Sequence, residues 1–151
     1  MRRLTYLLSA VGLIGLFGAV LTAQADVLPG SDQGGRPLKA TLLGPNEVPP
    51  APNTSSGSAV MTVNVGQGQL CYAIEFITTE TVVAAHIHHA AAGAVAPPLI
   101  PLSAPVSGSS SGCAEVDRDV LRDILLNPQD YYLNVHTTAH PAGAGRGQLT
   151  R

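Results

Sequence analysis

Residues 59–76 read AVMTVNVGQGQLCYAIEF. Ala59, Met61, Val63 and Val65 alternate with Thr62 and Asn64, so the apolar side chains share one side of an extended chain. Gly66-Gln67-Gly68 supplies a tight reversal, after which Leu70, Tyr72, Ile74 and Phe76 line one face of a returning strand. A period of two on both sides of a glycine turn predicts a β-hairpin with one buried face.

Shorter pieces flank the hairpin. Towards the N-terminus, residues 38–43 form a brief apolar run that ends at Gly44-Pro45. Pro49, Pro50 and Pro52 with residues 53–57 then form a loop that no central strand could contain. Towards the C-terminus, residues 81–88 predict a strand, 90–98 a small-residue loop, 99–102 a short apolar piece, and 107–112 a flexible Gly/Ser linker. One helix is expected: Asp117 can cap it, Val120, Leu121, Ile124 and Leu125 form its apolar stripe, and Pro128 stops it. Residues 131–137 and 145–150 complete the strands. Many short strands with one short helix predict an all-β, Greek-key-like β-sandwich or barrel.

The 151 residues suffice for one domain. The first 25 read as a signal peptide. Arg2 and Arg3 precede an uncharged stretch rich in Leu, Val, Gly and Ala, and Ala23-Gln24-Ala25 offers a cleavage site before Asp26. The rival reading is a retained membrane anchor; Gly12, Gly15, Gly18 and the small-residue exit favour cleavage. Residues 26–37 read as a flexible N-terminal arm and residues 38–151 as the folded domain. Export predicts a periplasmic or secreted protein, with no membrane contact after cleavage. Of eight Lys and Arg and ten Asp and Glu, the leader holds only Arg2 and Arg3, leaving six against ten and a formal charge of −4. That balance excludes a nucleic-acid binder, which needs clustered positive charge.

A chain with no Trp and only 4% aromatic residues must build its core from Val, Leu, Ile and Ala. A covalent staple would support so thin a core. Cys71 and Cys113 are the two cysteines, and in an exported chain an even count reads as a disulfide. Two free thiols serving a metal are the weaker alternative, because the spacing resembles no close-set ligand pair.

All five histidines fall between positions 86 and 140. His86 and His88, two apart in a strand, project from the same face with their Cα atoms roughly 7 Å apart. His136 lies in another strand, and if the two strands are neighbours three imidazoles converge. Three neutral imidazoles suit copper or zinc, and an exported all-imidazole site favours copper, with zinc as the alternative. His89 and His140 lie just beyond these strands and are candidate additional ligands. Asp and Glu are scarce nearby, which argues against calcium or magnesium. The bland reading of any single strand histidine is a bond to a backbone carbonyl; two on one face with a third elsewhere shifts the balance towards a metal.

Nothing supports nucleophilic catalysis: there is no GxSxG elbow, and the serines fall in linker-like stretches. Asp117, Asp119 and Asp123 read as the solvated face of the helix. Glu47, inside Asn46-Glu47-Val48-Pro49-Pro50, reads as a structural clamp, pairing with Arg146 or bonding loop amides. Asn53-Thr54-Ser55 is formally a glycosylation sequon.

Several pieces in order resemble the CHRD (chordin-domain) family. They are Asn46-Glu47-Val48-Pro49-Pro50, Gly57-Ser58-Ala59, Leu70-Cys71-Tyr72, Ala85-His86-Ile87-His88 with Gly93, and Gly112-Cys113. Asn127-Pro128 with Tyr131-Tyr132, Asn134-Val135-His136-Thr137, Pro141-Ala142-Gly143 and Arg146-Gly147-Gln148-Leu149 follow. The resemblance covers residues 38–151. It implies an extracytoplasmic β-rich domain whose signature histidines are His86, His88 and His136. The chain departs from the family pattern at His89, at His140 and in its proline-rich loop 94–101. A fainter likeness, to copper/zinc superoxide dismutase, rests on His86-Ile87-His88 and Arg146; no bridging histidine and no zinc-loop acids are identifiable. The functional expectation is a copper-binding exported domain. The alternatives are a non-catalytic interaction or structural module and a dismutase-like redox enzyme.

Overall fold

A computed structural model describes residues 34–151. The signal peptide expected at 1–25 and most of the arm expected at 26–37 lie outside the described residues. The eight strands are β1 (Arg36–Leu43), β2 (Ser56–Asn64), β3 (Gln69–Ile77), β4 (Val82–His89), β5 (Pro98–Leu102), β6 (Ser109–Glu115), β7 (Tyr131–Thr137) and β8 (Gly145–Gln148). One helix, α1 (Arg118–Leu126), lies between β6 and β7. The strands form one antiparallel sheet in the order β5-β4-β7-β8-β1-β2-β3-β6. The sheet curls into a nearly closed barrel, with edge strands β5 and β6 close enough for Ser110 Oγ to donate to Ser103 O at 2.8 Å. The expected all-β architecture with one helix is what the chain adopts.

The hairpin holds as its alternation requires. β2 and β3 pair in register from Ser56↔Ile77 to Asn64↔Gln69. Met61, Val63, Leu70, Tyr72, Ile74 and Phe76 are all buried in the core. In α1, Asp117 caps the first turn by accepting from the backbone N–H of Asp119 and Val120. Leu121 and Ile124 seat the helix in the same core, and at its other end Arg151 Nη2 donates to Leu125 O at 2.6 Å.

Two expectations need correction. The arm does not run to residue 37, because Arg36 and Pro37 already pair with Val63 and Thr62 as the start of β1. The stretch expected as a Gly/Ser linker is mostly strand: β6 pairs with β3 from Glu75↔Ser109 to Gln69↔Glu115. Serine and glycine have little intrinsic preference for a strand, but β3 offers a free edge and Cys113 is disulfide-bonded to its register partner Cys71. Ladder and staple together override local composition. The prolines of β5 sit where a strand tolerates them, at the other sheet edge.

Candidate metal centre

Strands β4 and β7 pair antiparallel, with His86 opposite Asn134, His88 opposite Tyr132 and Ala84 opposite His136. Alternation divides their side chains between two faces. Ala85, Ile87, Leu133 and Val135 enter the core, while His86, His88, Tyr132, Asn134 and His136 take the opposite, outer face. The next strand extends the pattern, since β8 sets Arg146 opposite Asn134 and Gln148 opposite Tyr132. The glycines beside Arg146 explain how β8 fits. A Cβ on Gly145 would lie 2.5 Å from the Phe76 ring, and one on Gly147 would lie 2.2 Å from Thr41 O. Only a bare backbone approaches that closely, leaving Arg146 to the outer face.

Three imidazoles converge on this face. Ring centroids of His86 and His136 are 5.1 Å apart, those of His86 and His88 5.7 Å, and those of His88 and His136 6.3 Å. One ring nitrogen from each lies within 4.8 Å of the others, so small side-chain adjustments reach the ~2.0–2.1 Å metal–nitrogen bonds of zinc or copper. Backbone carbonyls orient two of the rings: His88 Nδ1 donates to Ala96 O at 2.8 Å and His136 Nδ1 to Pro141 O at 3.0 Å. A proton on Nδ1 leaves the Nε2 lone pair available, the usual arrangement behind a metal-ligating histidine. His136 Nε2 lies 3.2 Å from His86 Nδ1, and His88 Nε2 lies 2.9 Å from the Asn134 amide. Which end of that amide faces the ring is set by a 180° turn of its side chain.

The electrostatics favour neutral rings. Burial lowers the pKa of His86 below the ordinary 6.5, and the neighbouring His136 and His88 lower it further. Burial also lowers that of His136, against the opposing bond to Pro141. Both imidazoles therefore stay metal-competent into mildly acidic solution.

The Tyr132 ring is sandwiched. His88 stacks on it with centroids 4.6 Å apart and planes 2° from parallel, and the Arg146 guanidinium carbon lies 3.5 Å from the ring centroid. Arg146, 1% exposed, donates to Ala94 O at 2.8 Å, Ala91 O at 3.1 Å and Gln148 Oε1. It thereby ties the loop after β4 down over the histidine face. Glu47 borders the same cleft, about 610 Å³ in volume, as do His86, His88, His136 and Arg146. Among the described residues no ion pair within 4.0 Å joins Glu47 to Arg146. The direct link from this loop to β8 comes from Asn46, whose amide donates to Arg146 O at 3.1 Å. Burial pushes the Glu47 carboxyl up to about 7, against the lowering influence of Arg146 and Asn134.

His89 and His140 lie apart from the three-ring group. His89 stacks on Tyr131 at 4.4 Å, with Asp123 4.0 Å away. His140 Nδ1 lies 2.9 Å from Glu80 Oε2, and Thr137 Oγ donates to the same oxygen. Sequence reasoning missed Tyr132, Asn134 and Glu80. The first two share the parity of His136 along β7, a signal that was present; Glu80 belongs to a turn, where no periodicity points to it.

A comparison with protein-family models matches the CHRD domain over residues 38–149. The chain belongs to the CHRD family. No curated protein and no solved structure matches it. In this CHRD domain the Ala85-His86-Ile87-His88 and Asn134-Val135-His136-Thr137 motifs are the paired strands that bring the imidazoles together. Arg146-Gly147-Gln148-Leu149 is the neighbouring strand that closes the cleft.

Proposed function

We propose that this CHRD domain is an exported protein that binds a transition metal, copper in preference to zinc, through His86, His88 and His136. The observation that carries this reading is the approach of three imidazole nitrogens to within 4.8 Å, with two of the rings held by backbone carbonyls. The donor set contains nitrogen alone, which suits copper or zinc and not the oxygen-seeking calcium or magnesium. A bound metal would supply a Lewis acid, and copper also a one-electron couple, at the floor of the cleft. The Arg2-Arg3 leader with its Ala23-Gln24-Ala25 exit, and the disulfide between Cys71 and Cys113, favour an oxidising compartment, periplasmic or extracellular.

Titration calorimetry of the domain with Cu(II) and Zn(II) tests the proposal. Submicromolar binding of one ion per chain, lost in His88→Ala, is the expected result, and affinity no tighter than about micromolar removes the idea.

A second reading, a structural or interaction module, is favoured by one feature: both ring nitrogens of His88 already have partners within the protein. On that reading His88→Ala lowers thermal stability equally with and without added metal. The dismutase-like alternative draws less support, because the cluster offers three histidines and no carboxylate to a second ion.

A further inference from the structure

The two edges of the sheet, β5 and β6, face each other across the seam where the barrel stays open. On β6, Cys113 stands directly opposite Cys71 of β3 with Cα atoms 3.9 Å apart, the short spacing of a pair that exchanges no backbone hydrogen bonds. The bonds just beyond either end of β6 agree. Phe76 N–H donates to Gly108 O at 2.9 Å, and Val116 N–H to Gly68 O at 2.9 Å, so the even-numbered residues of β6 are the ones that bond to β3. Ser109, Ser111, Cys113 and Glu115 therefore turn their backbone N–H and C=O groups away from β3, towards the seam. Among the described residues none of these groups meets a hydrogen-bond partner.

β5 is a poor match for that row. Two of its five residues, Pro98 and Pro101, have no N–H to give. Its end is tied down by Ser103, whose N–H donates to Tyr72 Oη at 2.7 Å and whose carbonyl accepts from Ser110 Oγ at 2.8 Å. Away from these bonds the two edges enclose a cleft of about 650 Å³. Leu99, Ile100 and Leu102 of β5, Cys113 and Glu115 of β6 and Val120 of α1 line it. The charged groups in its lining are both acidic, Glu115 and Asp117. Asp117 caps α1, while among the described residues the Glu115 carboxylate has no ion pair.

We infer that this seam binds a short extended peptide segment of another protein, which adds to β6 as a further strand. Its backbone pairs with Cys113 and Glu115, alternate side chains meet the apolar lining, and a basic side chain faces Glu115 and Asp117. The seam shares no lining residue with the histidine cleft, so the inference is independent of the metal. Two other occupants fit less well. Residues 26–33 carry Asp26 and Asp32 and no base, which sets like charges together. The edge strand of a second barrel brings a neighbour of its own and cannot enter a gap walled on both sides.

The probe is a fluorescein-labelled peptide of alternating valine and threonine with a lysine at each end, titrated into the metal-free protein. It should bind about tenfold more tightly than the same peptide ending in glutamates, and Glu115→Lys, a change at an exposed position, should erase that preference. Amide hydrogen exchange followed by NMR needs no variant. In the protein alone the amides of Ser110, Gly112 and Ala114 should exchange slowly and those of Cys113 and Glu115 fast, and the lysine-ended peptide should slow the latter two about tenfold. Protection of Cys113 and Glu115 before any peptide is added means that the chain itself or a second copy fills the seam, and overturns the inference. A peptide that binds without slowing these two amides overturns it equally, as does the absence of saturable binding by about 1 mM.

Discussion

The β1-β2-β3-β6 side of the barrel and the β4-β7-β8 side obey the same two-residue period but use their outer faces differently. On the hairpin side the inner face carries the core, from Met61, Leu70, Ile74 and Phe76, and the outer face is covered where Thr62 and the disulfide-bonded Cys71 are buried, while the outer positions Ser58, Glu75 and Ile77 are exposed. On the histidine side both faces are built. Six of the seven β7 residues are buried and the seventh, His136, is half-buried, because the turn at Asn46, the loop after β4 and the loop after β7 cover the outer face. Burying polar groups on a second face requires partners for each, and these are supplied by Ala96 O, Pro141 O, Ala94 O and Asn134. One side thus supports the fold, while the other holds a polar constellation that the fold alone does not need.

The largest effect that separates the two sides comes from the staple. Cys71 and Cys113 close a loop spanning 42 residues on the hairpin side, worth about 4 kcal/mol at most through restriction of the unfolded chain. The double variant Cys71→Ser/Cys113→Ser should melt about 10–20 °C lower. Below its melting range it should still bind metal with parental affinity, since no ligand strand carries either cysteine. Thermal denaturation with calorimetry at low temperature checks both halves. A large loss of metal affinity in the folded variant would show that the two sides are not independent.

Glu47 gives the next effect, on the histidine side, and its sign can be worked out. The carboxyl titrates near 7 in the folded protein against an ordinary 4.5, so between those values the folded state holds a proton that the unfolded state has released. Stability from this group is full below about pH 4.5 and is lost as the pH rises through 7. Glu47→Gln removes the dependence. Relative to the parent it should gain about 2 kcal/mol between pH 5 and pH 8, after allowance for solvent screening. His86 and His136, with lowered pKa values, act in the opposite sense: their contribution is lost as the pH falls below 6.5. Taking the difference between variant and parent isolates Glu47 from them. Urea denaturation at the two pH values measures it, and a difference that does not change with pH would mean the carboxyl is not desolvated.

What the sequence made legible follows from how local the signal is. The hairpin could be read because its alternation and turn are contiguous, and His86 and His88 because a two-residue spacing fixes a common face. That His136 joins them depends on β4 and β7 being neighbours although more than forty residues separate them, a long-range pairing that no window of sequence reports. β6 was illegible for the converse reason: Ser-Ser-Ser-Gly reads as linker, and only the edge of β3 and the bond to Cys71 make it a strand. Arg146 was marked as important, but its partners are carbonyl oxygens of residues 91 and 94, which no side-chain pattern announces.

His140 supplies the smallest effect and the finest division within the histidine side. Its ring and the Thr137 hydroxyl share Glu80 Oε2, and its carbonyl accepts from Gly143 N–H at 3.1 Å. These bonds shape the loop that presents Pro141 O to His136 Nδ1. Removing the ring leaves all three imidazoles in place but loosens the carbonyl that orients one of them. Partners of this kind behind a ligand change metal affinity by about 10–100-fold. His140→Ala should sit at the low end, about tenfold weaker, with stability lowered by only about 1 kcal/mol. A direct ligand would behave differently, since its loss should remove submicromolar binding altogether. Calorimetric titration of His140→Ala beside His88→Ala therefore separates a residue that positions the site from one that forms it. Equal losses in the two variants would place His140 among the ligands, with a rearrangement of the 138–144 loop when metal binds.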